Sequence, residues 1–195
     1  MSTTPPSEKP SRTRLQTKLI AAARELTVTH GWSNVRMLDI AGIAGVSRQT
    51  VYNEFGDRAG LAEALALNEI ERFRDLVRAE LFAHGNDARA AVHSTILRVL
   101  TEAAANPLVR AILTSADGGD ELLPYLTTRA GSVLAVAGAV VREWTTSQLP
   151  GLDEHAAALA AESIIRLTVS HIMLPGASPQ ASADALAEVF LKLLR

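Results

Sequence analysis

Apolar residues recur at helical spacing along almost the whole chain of 195 residues. The first repeat predicts a helix over residues 12 to 29, which Gly31 ends, and its apolar face consists of Leu15, Leu19, Ala22, Ala23 and Leu26. Two shorter repeats predict helices over residues 37 to 44 and 48 to 55. Residues 1 to 11 contain three prolines and too little apolar surface to order themselves, so we expect a flexible tail there.

A longer apolar repeat follows from residue 59 to residue 83. As a helix it would be about 37 Å long at 1.5 Å per residue, which is long enough to begin in one domain and end in the next. Five more helices are expected, separated by loops that contain proline or glycine, over residues 87 to 105, 107 to 115, 122 to 148, 153 to 174 and 179 to 194. No stretch requires a strand, so the predicted fold class is all-α.

The segment from residue 45 to residue 58 has the pattern of the second half of a helix-turn-helix. Gly45 can adopt the left-handed conformation that ends one helix, and Ser47 can cap the next. Val51 and Phe55 lie one turn apart on a buried face. The side chains left on the other faces suit a DNA groove, and they are Arg48, Gln49, Tyr52 and Asn53.

Three short motifs in this region match a known family: Asp39-Ile40-Ala41, Gly45-Val46-Ser47, and Thr50-Val51-Tyr52 followed by Phe55. Residues 15 to 65 therefore resemble the DNA-binding domain of the tetracycline-repressor (TetR) family of bacterial regulators. The resemblance implies a three-helix DNA-binding domain over residues 12 to 58 and a larger helical domain over residues 59 to 195. It also implies a homodimer that binds operator DNA and is released by a small ligand.

We expect the DNA contacts to come from residues at and just after the start of the third helix. Gln49 and Asn53 are predicted to contact base edges, with Ser47 and Thr50 beside them. Arg48, Tyr52 and Arg58 are predicted to bind phosphates. The resemblance supports the last assignment, because Arg58 stands where the family commonly has a phosphate-contacting lysine.

Two positions depart from the family pattern. Arg36 replaces the usual small hydroxyl residue before the second helix, so capping must come from Ser33, Asn34 or water. Glu54 replaces a frequent aromatic residue. Its carboxylate either turns away from the phosphates or accepts a hydrogen bond from a cytosine amino group.

Composition narrows the class of protein. Residues 1 to 60 carry eight Lys and Arg against five Asp and Glu, whereas the remainder carries eleven against sixteen, so the positive excess lies with the motif. The absence of cysteine and of an early apolar segment predicts a cytoplasmic protein that is not embedded in a membrane. No metal-binding, phosphate-binding or nucleophile motif is present, so we expect neither an enzyme nor a cofactor.

The effector is expected to be lipophilic and to bind among the helices of residues 87 to 174. This region has no acidic cluster or metal ligands and few aromatic residues, which leaves an apolar cavity with one or two polar anchors. The candidate anchors are Arg98, Tyr125, Trp144, Arg166 and His171. The alternative is that the many alanines allow close helix packing and leave no cavity.

The last two predicted helices are expected to form the dimer interface as a four-helix bundle. Each carries an apolar stripe, composed of Ile164, Leu167 and Ile172 on one and of Leu186, Val189, Phe190 and Leu193 on the other. The alternative to a DNA-binding regulator is a helical protein-interaction module with a degenerate DNA-binding domain. Glu54 and the small positive excess keep this alternative open.

Overall fold

The computed structural model describes residues 8–114 and 121–194 and is all-α throughout those residues. The first four helices are α1 Glu8–His30, α2 Met37–Ala44, α3 Arg48–Phe55 and α4 Arg58–Ala83. They are followed by α5 Ala88–Ala105, α6 Pro107–Leu113, α7 Gly131–Gln148, α8 Glu154–Met173 and α9 Pro179–Leu193. Two 3-10 turns, Trp32–Asn34 and Leu123–Leu126, precede α2 and α7.

Short polar side chains determine where many of these helices begin. The side chain of each accepts a hydrogen bond from a backbone N–H in the first turn, which would otherwise be unpaired. These caps are Ser47, Asp57, Asp87, Asn106, Asp153 and Ser178. Gly45 ends α2 at φ 66° and ψ 36°, the left-handed conformation that the sequence required. The helix-turn-helix boundaries are therefore those predicted.

The structure corrects the expectations at three other places. Helix α1 begins at Glu8, so residues 8 to 11 are helical rather than part of a tail, and residues 1 to 7 lie outside the described range. The helix expected over residues 122 to 148 is interrupted. Pro124 starts a 3-10 turn, and the backbone then closes turns onto its carbonyl before α7 begins at Gly131. Within the described residues, no side chain caps the first turn of α2. Arg36 at the N-cap position makes no capping hydrogen bond, and the Asn34 amide donates to the carbonyl of His30 instead.

Two hydrophobic cores lie at opposite ends of α4. The first joins α1, α2 and α3 to the start of α4, and it also takes Leu108 and Ile112 from α6 together with Leu122. The second joins the end of α4 to α5, α7, α8 and α9. We call the first unit the head and the second the body. Because α6 packs into the head, the head's core crosses the boundary that the sequence placed at residue 58.

Helix α4 connects the two units mechanically. Its 26 residues give a length of about 39 Å. Leu61 and Leu65 are buried in the head, whereas Leu81 is buried in the body. Any tilt of α4 in the body therefore moves the head with it.

Candidate DNA-binding surface and ligand cavity

Helix α3 has a buried face and an exposed face, as the sequence predicted. Val51 is fully buried and Phe55 packs partly against the head's core. The Ser47 hydroxyl accepts a hydrogen bond from the Thr50 N–H at 3.1 Å and lies 2.9 Å from the Thr50 hydroxyl. Both hydroxyl groups are thus engaged in starting the helix, and Arg48 lies on the exposed face beside them.

The exposed side chains of α3 are held in two pairs, each spanning one helical turn. Arg48 Nη2 donates to the Tyr52 hydroxyl at 3.0 Å, and its guanidinium carbon lies 5.1 Å from the centre of the Tyr52 ring. Gln49 Nε2 donates to Asn53 Oδ1 at 2.9 Å. This leaves the Gln49 oxygen as an acceptor and the Asn53 amide nitrogen as a donor. The surface therefore offers one acceptor and one donor side by side, the groups that read a base edge.

Arg58 is placed differently from the expected phosphate contact. Its guanidinium donates to the carbonyls of Trp32 at 2.6 Å and Ser33 at 3.3 Å, and to Glu121 Oε2 at 3.1 Å. It also stacks over the Trp32 ring, 5.0 Å from the ring centroid. To bind a phosphate it must exchange at least one of these partners. Glu121 is 63 positions away in the chain, so its contact with Arg58 could not be predicted from the sequence.

Trp32 completes this contact. Its side chain is only 2% exposed and lies in the head's core with Leu19 and Ala23 of α1. The indole N–H donates to the same oxygen of Glu121 at 2.9 Å. Glu121 therefore ties the head to the segment that leads into Leu122 and the Leu123–Leu126 turn.

A cavity of about 180 Å³ lies in the body between α4, α5, α6, α7 and α8. Its lining is almost entirely aliphatic or aromatic and includes Leu65, Ile70, Phe73, Val77, Ile96, Val99, Val109, Ile112, Val136, Val141, Ile165, Val169 and Ile172. The region and the apolar character are those predicted, although α4 and Phe190 of α9 also contribute to the wall. The alanine-rich helices therefore do not pack so closely that the cavity disappears.

Few polar groups face the cavity. Thr95 and Thr168 are in the lining, but each hydroxyl donates to a carbonyl of its own helix, of Ala91 at 2.7 Å and of Ile164 at 2.8 Å. Tyr125 also lines the cavity, and its hydroxyl has no hydrogen-bond partner among the residues that the structure describes. Tyr125 is thus the best placed of the predicted anchors.

The other four predicted anchors do not line the cavity. Trp144 is fully buried in the body's core. The His171 ring pairs with the Ser182 hydroxyl at 3.0 Å, between α8 and α9. Arg98 and Arg166 are exposed and face Glu102 and Glu162 on their own helices. All four are on apolar helices, but their side chains lie on faces of those helices that point away from the cavity.

The lining also contains two charged residues of α4 that the sequence analysis missed. Arg74 pairs with Glu71 and Asp75 on its own helix. Glu69 is the other. The Glu69 carboxylate accepts hydrogen bonds from Arg24 Nε at 2.8 Å, Asn106 Nδ2 at 3.0 Å and Arg72 Nη1 at 3.2 Å. The side chain is 11% exposed. An acid on an otherwise apolar helix face, with Arg72 three residues later, was the available signal, since Arg24 and Asn106 are 45 and 37 positions away.

Comparison with known proteins agrees with this arrangement. Residues 19–65 match the model of bacterial regulatory proteins of the tetR family, and residues 87–192 match that of the bacterial tetracyclin repressor C-terminal domain. The chain belongs to the TetR family of transcriptional regulators. It is a DNA-binding regulator, so of the two interpretations left open by the sequence, this one is confirmed over the interaction module.

Two relatives of this TetR-family chain are similar over most of their length. The transcriptional regulator AlkX of Mycobacterium tuberculosis is 34% identical over 184 residues, which are 94% of this chain and 85% of that protein. The crystal structure of the repressor AlkX from Dietzia sp., implicated in biodegradation of n-alkanes, is 33% identical with a TM-score of 0.75, covering 91% of this chain and 98% of the other. These relatives are regulators rather than enzymes.

A more distant structure shows the same fold. The repressor RolR in complex with resorcinol is 18% identical to this chain, with a TM-score of 0.66, and the match covers 96% of this chain and 90% of RolR. At this identity the likeness concerns the architecture alone.

TetR-family regulators dimerise, and the structure revises which residues can serve that purpose here. Ile164, Leu186 and Phe190, predicted at the interface, are 6%, 3% and 0% exposed and belong to the chain's own core. Leu167 and Val189 are 38% and 37% exposed, while Ile172 and Leu193 are partly buried. Two exposed leucines were missed, Leu159 and Leu174. Leu159 lies eight residues before Leu167 on the same face of α8, a spacing that the sequence already contained, whereas Leu174 follows the last residue of that helix.

Helix α8 is long and apolar enough to cross a membrane by length and composition, and it is alone in this within residues 8–114 and 121–194. Core helices of globular proteins meet the same criterion, and α8 packs against α5, α7 and α9. Its exposed apolar residues lie on the stripe through Leu167. A single helix of this kind is weak evidence for a membrane span, and it does not contradict the expectation that the protein is not embedded in a membrane.

Proposed function

We propose that this TetR-family regulator is a cytoplasmic homodimeric repressor that leaves its operator when a lipophilic molecule fills the cavity of the body. The observation that supports the proposal is the cavity itself, which has an apolar wall and almost no free polar group. Such a wall cannot satisfy the hydrogen bonds of a charged or sugar-like molecule, so those ligands would pay a desolvation cost without compensation.

The size of the cavity limits the ligand. At about 180 Å³ it is slightly larger than the cavity of about 150 Å³, lined by Leu, Ile and Phe, that is known to bind benzene. A short hydrocarbon segment therefore fits without rearrangement. A longer chain requires the surrounding helices to separate, which couples ligand length to movement of α4 and α6.

The Tyr125 hydroxyl, which has no hydrogen-bond partner within residues 8–114 and 121–194, suggests how a ligand would be oriented. The Tyr125 hydroxyl can donate to, or accept from, a terminal oxygen of an alcohol or an ester. A plain hydrocarbon would use burial of its surface alone. The Dietzia relative is implicated in biodegradation of n-alkanes, and this supports ligands of hydrocarbon origin here as well.

Release from DNA follows from the shared elements. A two-fold dimer presents two copies of α3 to successive major grooves, roughly 34 to 36 Å apart. Helices α4 and α6 both line the cavity and pack into the head. A ligand that shifts them changes the separation of the two α3 helices. By thermodynamic linkage, DNA then weakens ligand binding by the same factor.

A ligand panel tests the proposal directly. An operator for the protein is first selected from a random DNA library. The melting temperature of the protein and its affinity for that operator are then measured in the presence of n-alkanes, 1-alkanols, fatty acids and polar metabolites. A ligand present at a hundredfold excess over its Kd adds about 2.7 kcal/mol to the free energy of unfolding, which a melting curve resolves. Stabilisation and DNA release by polar metabolites alone would overturn the proposal.

A cavity-filling variant provides the matched control. Ala137 lines the cavity on α7, whereas Ala139 is exposed two residues later on the same helix. Ala137→Phe should occupy the space that the ligand needs and abolish its stabilising effect. Ala139→Phe adds the same side chain outside the cavity and should leave the response intact. An equal response in both variants would place the ligand elsewhere.

A further inference from the structure

Side chains from α1, from α4 and from the junction between α5 and α6 form a polar cluster where the head meets the body. Arg24 of α1 donates through Nε to Glu69 Oε1 at 2.8 Å and through Nη2 to Asn106 Oδ1 at 3.2 Å. Asn106 Nδ2 donates back to Glu69 Oε2 at 3.0 Å. Every pair in the triangle is therefore hydrogen-bonded.

The cluster is mostly shielded from water. The Glu69 and Arg24 side chains are 11% and 28% exposed, and Asn106 is 4% exposed. A carboxylate in such surroundings is tolerated only while its hydrogen bonds and its ion pair are kept. Arg72 of α4 also donates to Glu69, at 3.2 Å, but it is half-exposed and lies on the same helix. Among the residues that the structure describes, Arg24 and Asn106 are the hydrogen-bond partners that reach Glu69 from other elements, so a movement of the head on the body must break or stretch their contacts.

Asn106 also determines where α6 begins. Its Oδ1 accepts hydrogen bonds from the backbone N–H groups of Leu108 at 2.9 Å and Val109 at 3.5 Å. Leu108 belongs to the head's core and lines the cavity as well. The same oxygen thus receives Arg24 from the head and the first turn of the helix that separates the head from the cavity.

Glu69 connects this cluster to the ligand site. It lies on the cavity wall, two turns after Leu61 and one turn after Leu65, which are buried in the head. An apolar ligand placed against Glu69 offers it no hydrogen bond and excludes water from it. The carboxylate then depends on Arg24 and Asn106 more strongly than before, because an unpaired polar group costs more in a drier site.

We propose that Arg24, Glu69 and Asn106 are positioning residues that fix the angle of the head on the body. They transmit occupancy of the cavity to α1 and α6. The part of this inference that concerns the ligand rests on the proposed function, whereas the part that concerns the angle of the head does not. None of the three side chains needs to touch DNA.

The role of the cluster in fixing the angle of the head on the body is tested without any ligand, by varying the spacing between the two half-sites of the operator. From the selected operator, fragments are made with one base pair inserted or removed between the half-sites, which moves one site by about 3.4 Å and rotates it. Wild-type protein should lose about tenfold in affinity for either fragment, because its heads are held at one separation. Arg24→Gln should lose only about twofold to threefold, since its heads can adapt. Glu143→Gln, which cuts the exposed Arg78–Glu143 pair between α4 and α7, serves as the control and should behave like the wild type.

The role of the cluster in transmitting occupancy of the cavity to the head is tested with 1-dodecanol as the probe ligand. Saturating probe should weaken DNA binding by the wild type and by Glu143→Gln by at least about tenfold, but that of Arg24→Gln by less than about threefold. Arg24 does not line the cavity, so all three proteins should bind the probe equally well. If the wild type binds no probe, the proposed function fails, and the spacing measurement still decides the present inference.

Two milder variants test the same inference if Arg24→Gln does not fold. Arg24→Lys keeps the charge, but its single nitrogen cannot serve both acceptors, and Asn106→Ser keeps a helix cap while it withdraws from Glu69. Each should fall between the wild type and Arg24→Gln in the spacing measurement. Retention of the full tenfold spacing preference by Arg24→Gln, or by both milder variants if Arg24→Gln does not fold, would overturn the inference.

Discussion

Arg58 Nε donates a hydrogen bond to Glu121 Oε2 at 3.1 Å, so the residue expected to bind a DNA phosphate is held by an acid from beyond α6. The two side chains are 37% and 42% exposed, which leaves this ion pair accessible to solvent and to exchange. Glu121 immediately precedes Leu122, which lines the cavity. The same guanidinium can therefore bind either Glu121 or the DNA.

Competition for Arg58 predicts the effect of removing the acid. Glu121→Gln should strengthen binding to all DNA sequences alike and steepen the dependence of log K on log salt concentration by about one charge, because Arg58 becomes free for a phosphate. Arg58→Ala should do the opposite. Fluorescence anisotropy over a range of salt concentrations measures both.

A double-mutant cycle separates this effect from a general change of charge. In the Arg58→Ala background, Glu121→Gln should have no further effect on DNA affinity. A full effect in that background would mean that Glu121 acts on DNA without Arg58. A change of sequence preference in Arg58→Ala would contradict its role as a phosphate contact.

The Gln49–Asn53 pair predicts where sequence preference arises. Gln49→Ala should relax the preference at one base position by about 1 to 3 kcal/mol, because the acceptor that faces the base edge is lost. Asn53→Ala should relax the same position or its neighbour. The two losses should not add, since each substitution also removes the hydrogen bond that orients the other side chain.

Binding to a library of single-base operator variants measures these preferences. Ser147→Ala, on α7 in the body, provides a control that should leave every preference unchanged. Uniform weakening for all operator variants would show that Gln49 and Asn53 hold the backbone rather than read bases.

The exposed stripe of α8 and α9 predicts the dimer contact. Leu167→Asp combined with Val189→Asp should yield monomers that stay folded, because both side chains are more than a third exposed in the single chain. Phe190→Ala should instead destabilise the fold by about 3 to 5 kcal/mol, since the ring is fully buried. Sedimentation and thermal melting distinguish the two outcomes. A dimer that survives the double substitution at micromolar concentration would place the interface elsewhere.

Tyr125 predicts how ligands are discriminated. Tyr125→Phe should weaken the binding of 1-alkanols by about 0.5 to 1.5 kcal/mol, the usual worth of one hydrogen bond, and leave n-alkanes unaffected. Calorimetric titration of the two ligand series compares them in one protein. Equal losses in both series would mean that the hydroxyl does not contact the ligand.

Features that depend on residues close together in the chain could be predicted from the amino-acid sequence. The boundaries of α2 and α3 follow from Gly45, from the Ser47 cap and from Gly56, all within one turn of the helix that they limit. The family motifs lie in the same short segment, so the DNA-binding function could be predicted as well. The apolar cavity was foreseeable from composition, because a region poor in charged and aromatic residues has little else with which to line one.

Which face of each helix points inward became clear from the packing of the helices and not from the sequence. Helices α8 and α9 carry apolar residues on more than one face, so periodicity did not distinguish the buried Phe190 from the exposed Val189. The partners of Glu69 and Arg58 were also beyond prediction. Arg24 and Asn106 lie 45 and 37 positions away from Glu69, and Glu121 lies 63 positions away from Arg58. Contacts at that distance depend on how the helices cross, and the crossing is determined by the packing of both cores together, which no single helix specifies.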